Sequence, residues 1–219
     1  MAKKTQITRV NNKIIRSKNN ASVSPYTRGG MSKIRQKQLD AKKDQLVRMI
    51  HDGGMDVLKQ WLIDNPQEAA DLSWIDIPGL LLPGFDFSGV NLNAATLTGG
   101  DFTGGKFMGA RLYGVVATKA NFRGCLFSGA NLAAGLFSGA DFTGAKIVGA
   151  DLSAAVLTDA NLTNANMEGS YLVGAYLVGA KLKGASFRGA VLTGAKFSPG
   201  VKIDTGVELL QESSPLEEK

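Results

Sequence analysis

Residue types that support catalysis or metal binding are scarce in this sequence. The 219 residues include one histidine, His51, and one cysteine, Cys125. A zinc site needs several His or Cys ligands, and a Cys–His nucleophilic pair needs both residues in contact. A single cysteine also forms no disulfide within the chain. We interpret His51 as the C-terminal end of a helix and Cys125 as a buried substitute for alanine, and we expect no metal and no cofactor.

Carboxylates are regularly spaced, and paired carboxylates are a common general acid–base device. In this sequence, however, aspartate and asparagine exchange at equivalent positions, and an amide cannot transfer a proton as a carboxyl group does. The positions concerned are Asp86, Asn91, Asp101, Asn121, Asn131, Asp141, Asp151 and Asn161. We interpret them as solvated side chains that hydrogen-bond the backbone of a nearby corner. No phosphate-binding loop or nucleophile–base pair is present, so we predict no catalytic residues and no enzyme.

The element that positions these side chains is a five-residue repeat between Gly84 and Pro199. Every fifth residue from Phe87 to Phe197 is large and apolar except Ala117, and the residue two places earlier is small in every unit after the first. A period of five is neither the 3.6 of a helix nor the 2 of a strand. A chain that turns a corner once per unit explains it, and glycine occupies most of the corner positions, where a Cβ would crowd the bend.

Three segments carry the pattern A-(D/N)-L-x-G most clearly: Ala-Asn-Leu-Ala-Ala at 130–134, Ala-Asp-Phe-Thr-Gly at 140–144 and Ala-Asp-Leu-Ser-Ala at 150–154. The sequence therefore resembles the pentapeptide-repeat family. That resemblance implies a mainly β fold, a right-handed quadrilateral parallel β-helix of about six coils with four units per coil, in which each coil depends on its neighbours.

The domain boundaries follow from the ends of the repeat and from composition. Ser32 fits a helix N-cap, and Ile77 and Leu82 extend the repeat backwards, so we expect the first coil to begin near Trp74. The sequence divides into four predicted parts: an extended basic arm at 1–31, a helical N-terminal cap at 32–73 with helices near 33–51 and 55–64, the β-helix at 74–200, and an acidic tail at 201–219.

Charge is distributed unevenly along the chain. The net charge is +6, but residues 1–50 alone carry a net +11. Such an arm suggests an anionic partner, although a solubilising tail explains it as well. The arm has one aromatic residue, Tyr26, so nucleic acid is a possible partner without sequence-specific recognition. The predicted contact residues of the arm are Lys3, Lys4, Arg9, Lys13, Arg16, Lys18 and Arg28.

With four units per coil, residues twenty apart stack on one side of the solenoid. One such ladder is apolar where the repeat pattern has Asp or Asn, and exposed apolar residues that align indicate a binding surface more than scattered ones do. We predict that this stripe docks a partner or a second copy of the chain; sequence drift is the alternative. Its residues are Val116, Leu136, Val156 and Tyr176 in the ladder and Tyr171, Val173, Val178 and Val191 beside it.

The combined hypothesis is a non-enzymatic structural or interaction protein, a rigid repeat rod tethered by its basic arm to protein partners in a larger assembly. A virion head or tail decoration protein is one such role. The family resemblance offers an alternative, a DNA-gyrase or topoisomerase modulator that mimics DNA. Mimicry needs an acidic rod, whereas residues 84–200 carry a net +3, with Lys106, Lys146 and Arg188 on one side.

A cytosolic or membrane-surface adaptor is the remaining alternative. The arm lacks the aromatic and leucine face of an interfacial helix, so we do not expect membrane binding. The N-terminal residues have no apolar stretch typical of a signal peptide, and the sequence contains no run of about 18 apolar residues that would span a bilayer. We therefore expect a virion or cytoplasmic location.

Overall fold

The five-residue period folds as a series of short β-bridges joined by tight turns. The computed structural model describes residues 71–203 without a gap and, before them, residues 34, 37, 38, 40–42, 44, 45, 48, 56, 57, 60, 61 and 63–65. All of these residues belong to one unit, Met31–Lys219. The predicted contact residues of the basic arm, His51 and most of the acidic tail lie outside the described residues.

The unit around Leu97 shows how each repeat is built. Thr96 bridges the next coil at Val116, and Leu97 points inward while its N–H donates to the Val116 carbonyl at 2.7 Å. The Gly100 N–H then donates to the Leu97 carbonyl at 3.1 Å, which closes a turn, and Gly99 within it has a φ of 66°. A positive φ costs an L-residue with a Cβ more than it costs glycine, which explains the many glycines at this position.

The bridges define a parallel β-helix with four sides. They join residues twenty apart, from Asp71 and Asn91 at one end to Tyr171 and Val191 at the other, and all are parallel. In the same register, strand β1 (Tyr176–Leu177) pairs with strand β2 (Lys196–Phe197). Twenty residues are four five-residue units, so each unit forms one side of a coil.

The interior is a continuous apolar column in which aromatic rings stack from coil to coil. On one side Phe87, Phe107 and Phe127 stack with centroid separations of 4.9 and 4.7 Å. On the adjoining side Phe122 stacks on the ring below at 5.3 Å and on the ring above at 5.1 Å. Rings of the two sides meet edge to face, for example Phe107 and Phe122 at 5.8 Å. These offset and edge-to-face geometries are favourable for aromatic pairs.

The solenoid begins earlier than predicted. Trp74 was expected to start the first coil, but its φ of 63° places it in a turn, and Leu72 is already an interior residue. The first bridge starts at Asp71, three residues before the predicted boundary. Leu72 keeps the five-residue spacing back from Ile77, which is the signal that marks the true start.

Helical residues are described between 34 and 48 and between 56 and 64, inside the two predicted helices. Trp61 packs against the apolar column, and the Lys42 ammonium donates to the Asp71 carbonyl at 2.6 Å. These contacts join the helical segment to the first unit of the solenoid; its role as a cap stays a prediction. In the part of the chain that the structure describes, no helix is both long and apolar enough to cross a membrane.

Candidate interaction surface

The regularly spaced Asp and Asn residues hydrogen-bond their own turns, as predicted. Asp101 is typical: its Oδ1 accepts from the Thr103 N–H at 3.0 Å and from the Thr103 hydroxyl at 2.6 Å. Asn121 accepts from the Arg123 N–H at 3.2 Å. Because these side chains satisfy backbone donors at the corners, they are part of the fold. We call the stacked residues on this side the polar ladder: Asp101, Asn121, Asp141 and Asn161.

Two carboxyl groups have shifted proton affinities for the same structural reason. Hydrogen bonds from Ser88 hold the pKa of Asp86 below its usual value, with help from Lys106 at 3.8 Å. At Asp141 burial raises the pKa, but hydrogen bonds from Thr143 and Arg123 outweigh it and the net shift is downward. Both groups are therefore charged at neutral pH, as expected for structural acceptors.

Cys125 is buried, as predicted from its small-residue position. Its Sγ donates to the Phe102 carbonyl at 2.9 Å, and its exposed fraction is 0%. Burial raises the pKa of the thiol to about 12. The thiolate is the reactive form of cysteine, so Cys125 is inert at neutral pH. Among the described residues no group of three His, Cys, Asp or Glu side chains could hold a metal ion.

The predicted apolar stripe is only partly exposed. We call the stacked residues Val116, Leu136, Val156 and Tyr176 the apolar ladder. Val116 is 8% exposed, so its prediction as an outward binding residue is wrong, and Leu136 and Val156 are half-buried. Stacked strands lie about 4.8 Å apart. Val116 therefore has Thr96 against one side and Leu136 against the other, and these neighbours cover it.

Exposure is concentrated at the C-terminal end of the stripe. Tyr171 stacks below Val191, and Tyr176 stacks below Lys196, so the exposed residues share the last two coils. An aligned apolar group of this kind differs from singly scattered residues. We call this group the C-terminal apolar patch; its members and exposed fractions are Tyr171 52%, Val173 43%, Tyr176 50%, Val178 45% and Val191 38%.

A second surface, which the sequence interpretation missed, is the end face of the last coil. Leu182, Leu192 and Phe197 occupy interior positions but are only partly buried. In earlier coils an interior N–H donates to a carbonyl nineteen residues on, as Leu162 does to Lys181 at 2.8 Å. Within residues 71–203 no such bond leads onward from residues 182–194. The break of the repeat at Pro199 was the signal for this end.

The end face is also the most uniformly basic part of the solenoid. Residues 180–200 contain no Asp or Glu. All the basic side chains there are exposed: Lys181, Lys183, Arg188 and Lys196. An acidic group near this end would be attracted to it, and a second basic surface would be repelled.

Comparison with known proteins gives a family for this architecture. The family model described as pentapeptide repeats (8 copies) matches residues 70–107, 106–133, 136–172 and 170–198. These segments cover most of the described solenoid. The search of the curated proteins finds no match.

Solved structures of similar sequence are pentapeptide-repeat proteins too. One, Rfr23 from the cyanobacterium Cyanothece 51142, is 20% identical over 66% of this chain and 99% of its own, with a TM-score of 0.29. Another, QnrB1, is a plasmid-mediated fluoroquinolone resistance protein, 20% identical over 59% of this chain and 79% of its own, also at 0.29. A protein of the Arabidopsis thaliana thylakoid lumen is 33% identical over 51% of this chain and 68% of its own, at 0.23.

Proposed function

Because this chain belongs to the pentapeptide-repeat family and is a right-handed β-helix, we propose that it is a non-enzymatic interaction protein. It acts as a rigid rod that binds a protein partner through the C-terminal apolar patch. The observation that carries the proposal is the contrast in outward chemistry. On the polar ladder the side chains are hydrogen-bonded within their own turns, whereas the patch exposes Tyr171 and Tyr176 at about half of their surface.

The composition of the patch suits a protein partner. Tyrosine is enriched at protein interfaces because its ring buries a large area while its hydroxyl keeps a hydrogen-bonding partner. Val173 and Val178 flank the two tyrosines and are stiff at χ1, so binding costs them little side-chain entropy. A second copy of the chain is one possible occupant of this surface.

We further propose that the basic arm at 1–31 tethers the rod to a larger assembly. The arm carries the seven predicted contact residues from Lys3 to Arg28. A virion head or tail decoration protein is one specific form of this proposal. Attraction between the arm and an acidic surface weakens as salt shortens the Debye length from about 10 Å at 0.1 M.

A pull-down from the native source tests both contacts. The baits are the full-length chain, a chain that starts at Met31, and a full-length Y171S/Y176S variant, each at low and high salt. A matched control, M108S/V148S, replaces two exposed apolar residues on another side of the solenoid. We expect the patch variant to lose the partner while the control keeps it, and the chain without the arm to lose only salt-sensitive binding. Equal capture by all baits would contradict the proposal.

The topoisomerase alternative depends on an acidic rod. Residues 84–200 carry a net +3, and Lys106 and Lys146 are exposed on one side. A DNA mimic competes with phosphate for a basic surface, which this charge pattern opposes. Inhibition or protection of gyrase supercoiling at stoichiometric protein would favour this alternative over our proposal.

A further inference from the structure

The two ends of the solenoid differ in how well their interior is covered. In the first coil Leu72, Ile77 and Leu82 are 6%, 8% and 1% exposed. In the last coil the interior residues Leu192 and Phe197 remain partly exposed. A stacked β-coil without a neighbour presents apolar surface and unpaired backbone groups, and natural proteins cover such edges. The end face of the last coil is therefore a surface that needs an occupant.

The charge of the end face selects the chemistry of that occupant. Four basic side chains and no acidic ones lie between residues 180 and 200. A second copy docked end to end would bring the same four cations against each other, and like charges facing each other at an interface are costly. The occupant that fits is an acidic segment with apolar side chains between its charges.

The chain itself contains such a segment directly after the last coil. Residues 204–219 carry five acidic residues and one lysine. Three aliphatic residues, Val207, Leu209 and Leu210, lie between the first and third carboxylates, Asp204 and Glu212. The preceding residue, Ile203, already packs against the apolar column, so the chain enters this segment at the end face.

The segment also has the right length and register. A side of the solenoid uses five residues, so sixteen residues suffice to follow three of the four sides. The ladder bond from an interior N–H reaches nineteen residues on, which for Phe187 and Leu192 falls at positions 206 and 211. Adding an extended segment to an open edge supplies main-chain hydrogen bonds together with side-chain contacts.

We propose that residues 204–219 dock on the end face of the last coil. Leu209 and Leu210 cover the partly exposed Leu182, Leu192 and Phe197. The carboxylates pair with the basic side chains around the rim. The docked segment leaves the C-terminal apolar patch, which lies on the outside of the solenoid, free to bind.

A spin label on the segment tests the docking directly. Cys125 is buried with its pKa raised to about 12, so a single introduced thiol can be labelled selectively at neutral pH. In the full-length L210C variant we expect a nitroxide to remove more than half of the amide NMR intensity at Leu182 and Leu192. The matched control is S128C, an exposed site in the middle of the solenoid, whose label should leave both signals intact.

Two results would overturn the proposal. Unchanged intensity at Leu182 and Leu192 in labelled L210C would show that the segment does not reach the end face. Equal signal loss in a mixture of labelled, isotope-free chains and unlabelled, isotope-enriched chains would show that a second copy supplies the segment. High salt should restore part of the intensity, because the ionic contacts are screened.

Hydrogen exchange gives an independent test that does not need a label. We expect the full-length L209D/L210D variant to exchange the amides of Leu182 and Leu192 at least tenfold faster than the parent chain, about 1.4 kcal/mol of lost protection. Amides in the middle coils should keep their rates, and the V148D control should change neither set. Unchanged rates in the last coil, or a uniform increase along the solenoid, would contradict the docking.

Discussion

The polar and apolar ladders occupy neighbouring sides of the same solenoid and share the same interior. On the polar ladder Asp141 accepts from the Thr143 N–H at 2.8 Å, so the side chain stabilises its own turn. On the apolar ladder the side chains depend on the residues stacked above and below them. Their exposed fraction rises from 8% at Val116 to 50% at Tyr176. The comparison separates the part of the repeat that makes the fold from the part that is available for binding.

The largest difference should appear between an interior ring and an outward ring. Phe122 is fully buried between two stacked phenylalanines. We expect Phe122→Ala to lower the free energy of unfolding by about 3–5 kcal/mol, the usual cost of removing a buried aromatic ring. Tyr176→Ala should cost less than about 1 kcal/mol because the ring is half exposed. Urea denaturation measures both, and equal losses would break the comparison.

The polar ladder should contribute more stability than its exposure suggests. Asp141→Ala removes the acceptor of the Thr143 N–H and hydroxyl and the partner of Arg123. We expect a loss of about 1–2 kcal/mol, as for a hydrogen-bonded acceptor whose donors are left partly buried. Arg123→Ala, which removes only the surface ion pair, should cost less than about 1 kcal/mol. A larger loss for Arg123→Ala, in the same denaturation series, would contradict this role.

The same ladder predicts a dependence of stability on acidic pH. The pKa of Asp141 in the folded chain lies below its ordinary value of 3.8. Its contribution is therefore fully present above the unfolded pKa and is lost as the pH falls through the lower, folded pKa. We expect Asp141→Asn to reduce the drop in melting temperature between about pH 5 and pH 3. An unchanged drop would show that other carboxylates carry the acid sensitivity.

A smaller effect is expected at the corners between the two ladders. Lys119 has a φ of 58°, whereas the equivalent Gly139 in the next coil has a φ of 66°. We expect Lys119→Gly to stabilise and Gly139→Ala to destabilise the chain, each by about 1 kcal/mol, since a Cβ is unfavourable in this conformation. Opposite changes in thermal midpoint would confirm that the turn, and not the side chain, determines the residue.

The smallest effect on stability is expected at the C-terminal apolar patch. Tyr171 and Tyr176 contact the column little, so Y171S/Y176S should change the free energy of unfolding by no more than about 1 kcal/mol. The M108S/V148S control should behave in the same way, as both residues are similarly exposed. A loss of several kcal/mol in the patch variant would mean that the tyrosines hold the last coils together instead of serving as a binding surface.

The spacing of the sequence was sufficient to predict the β-helix, its inward residues and the turn-bonding Asp and Asn side chains. These features are local to one five-residue unit, so one unit contains the information. Exposure on the outside was less predictable, because Val116 is covered by Thr96 and Leu136, which are twenty residues away. The end face at Leu182 and Phe197 was missed because a repeat pattern describes neighbours and not the place where they stop.

Photo-crosslinking tests the central claim, that the C-terminal apolar patch binds a protein, most directly. A photoreactive phenylalanine analogue replaces Tyr176 in one full-length chain and Met108 in another, and both are irradiated in extract from the native source. We predict a discrete crosslinked protein from position 176 that is absent from position 108 and survives high salt, because apolar contacts are not screened. The same products from both positions, or none from 176, would contradict the claim.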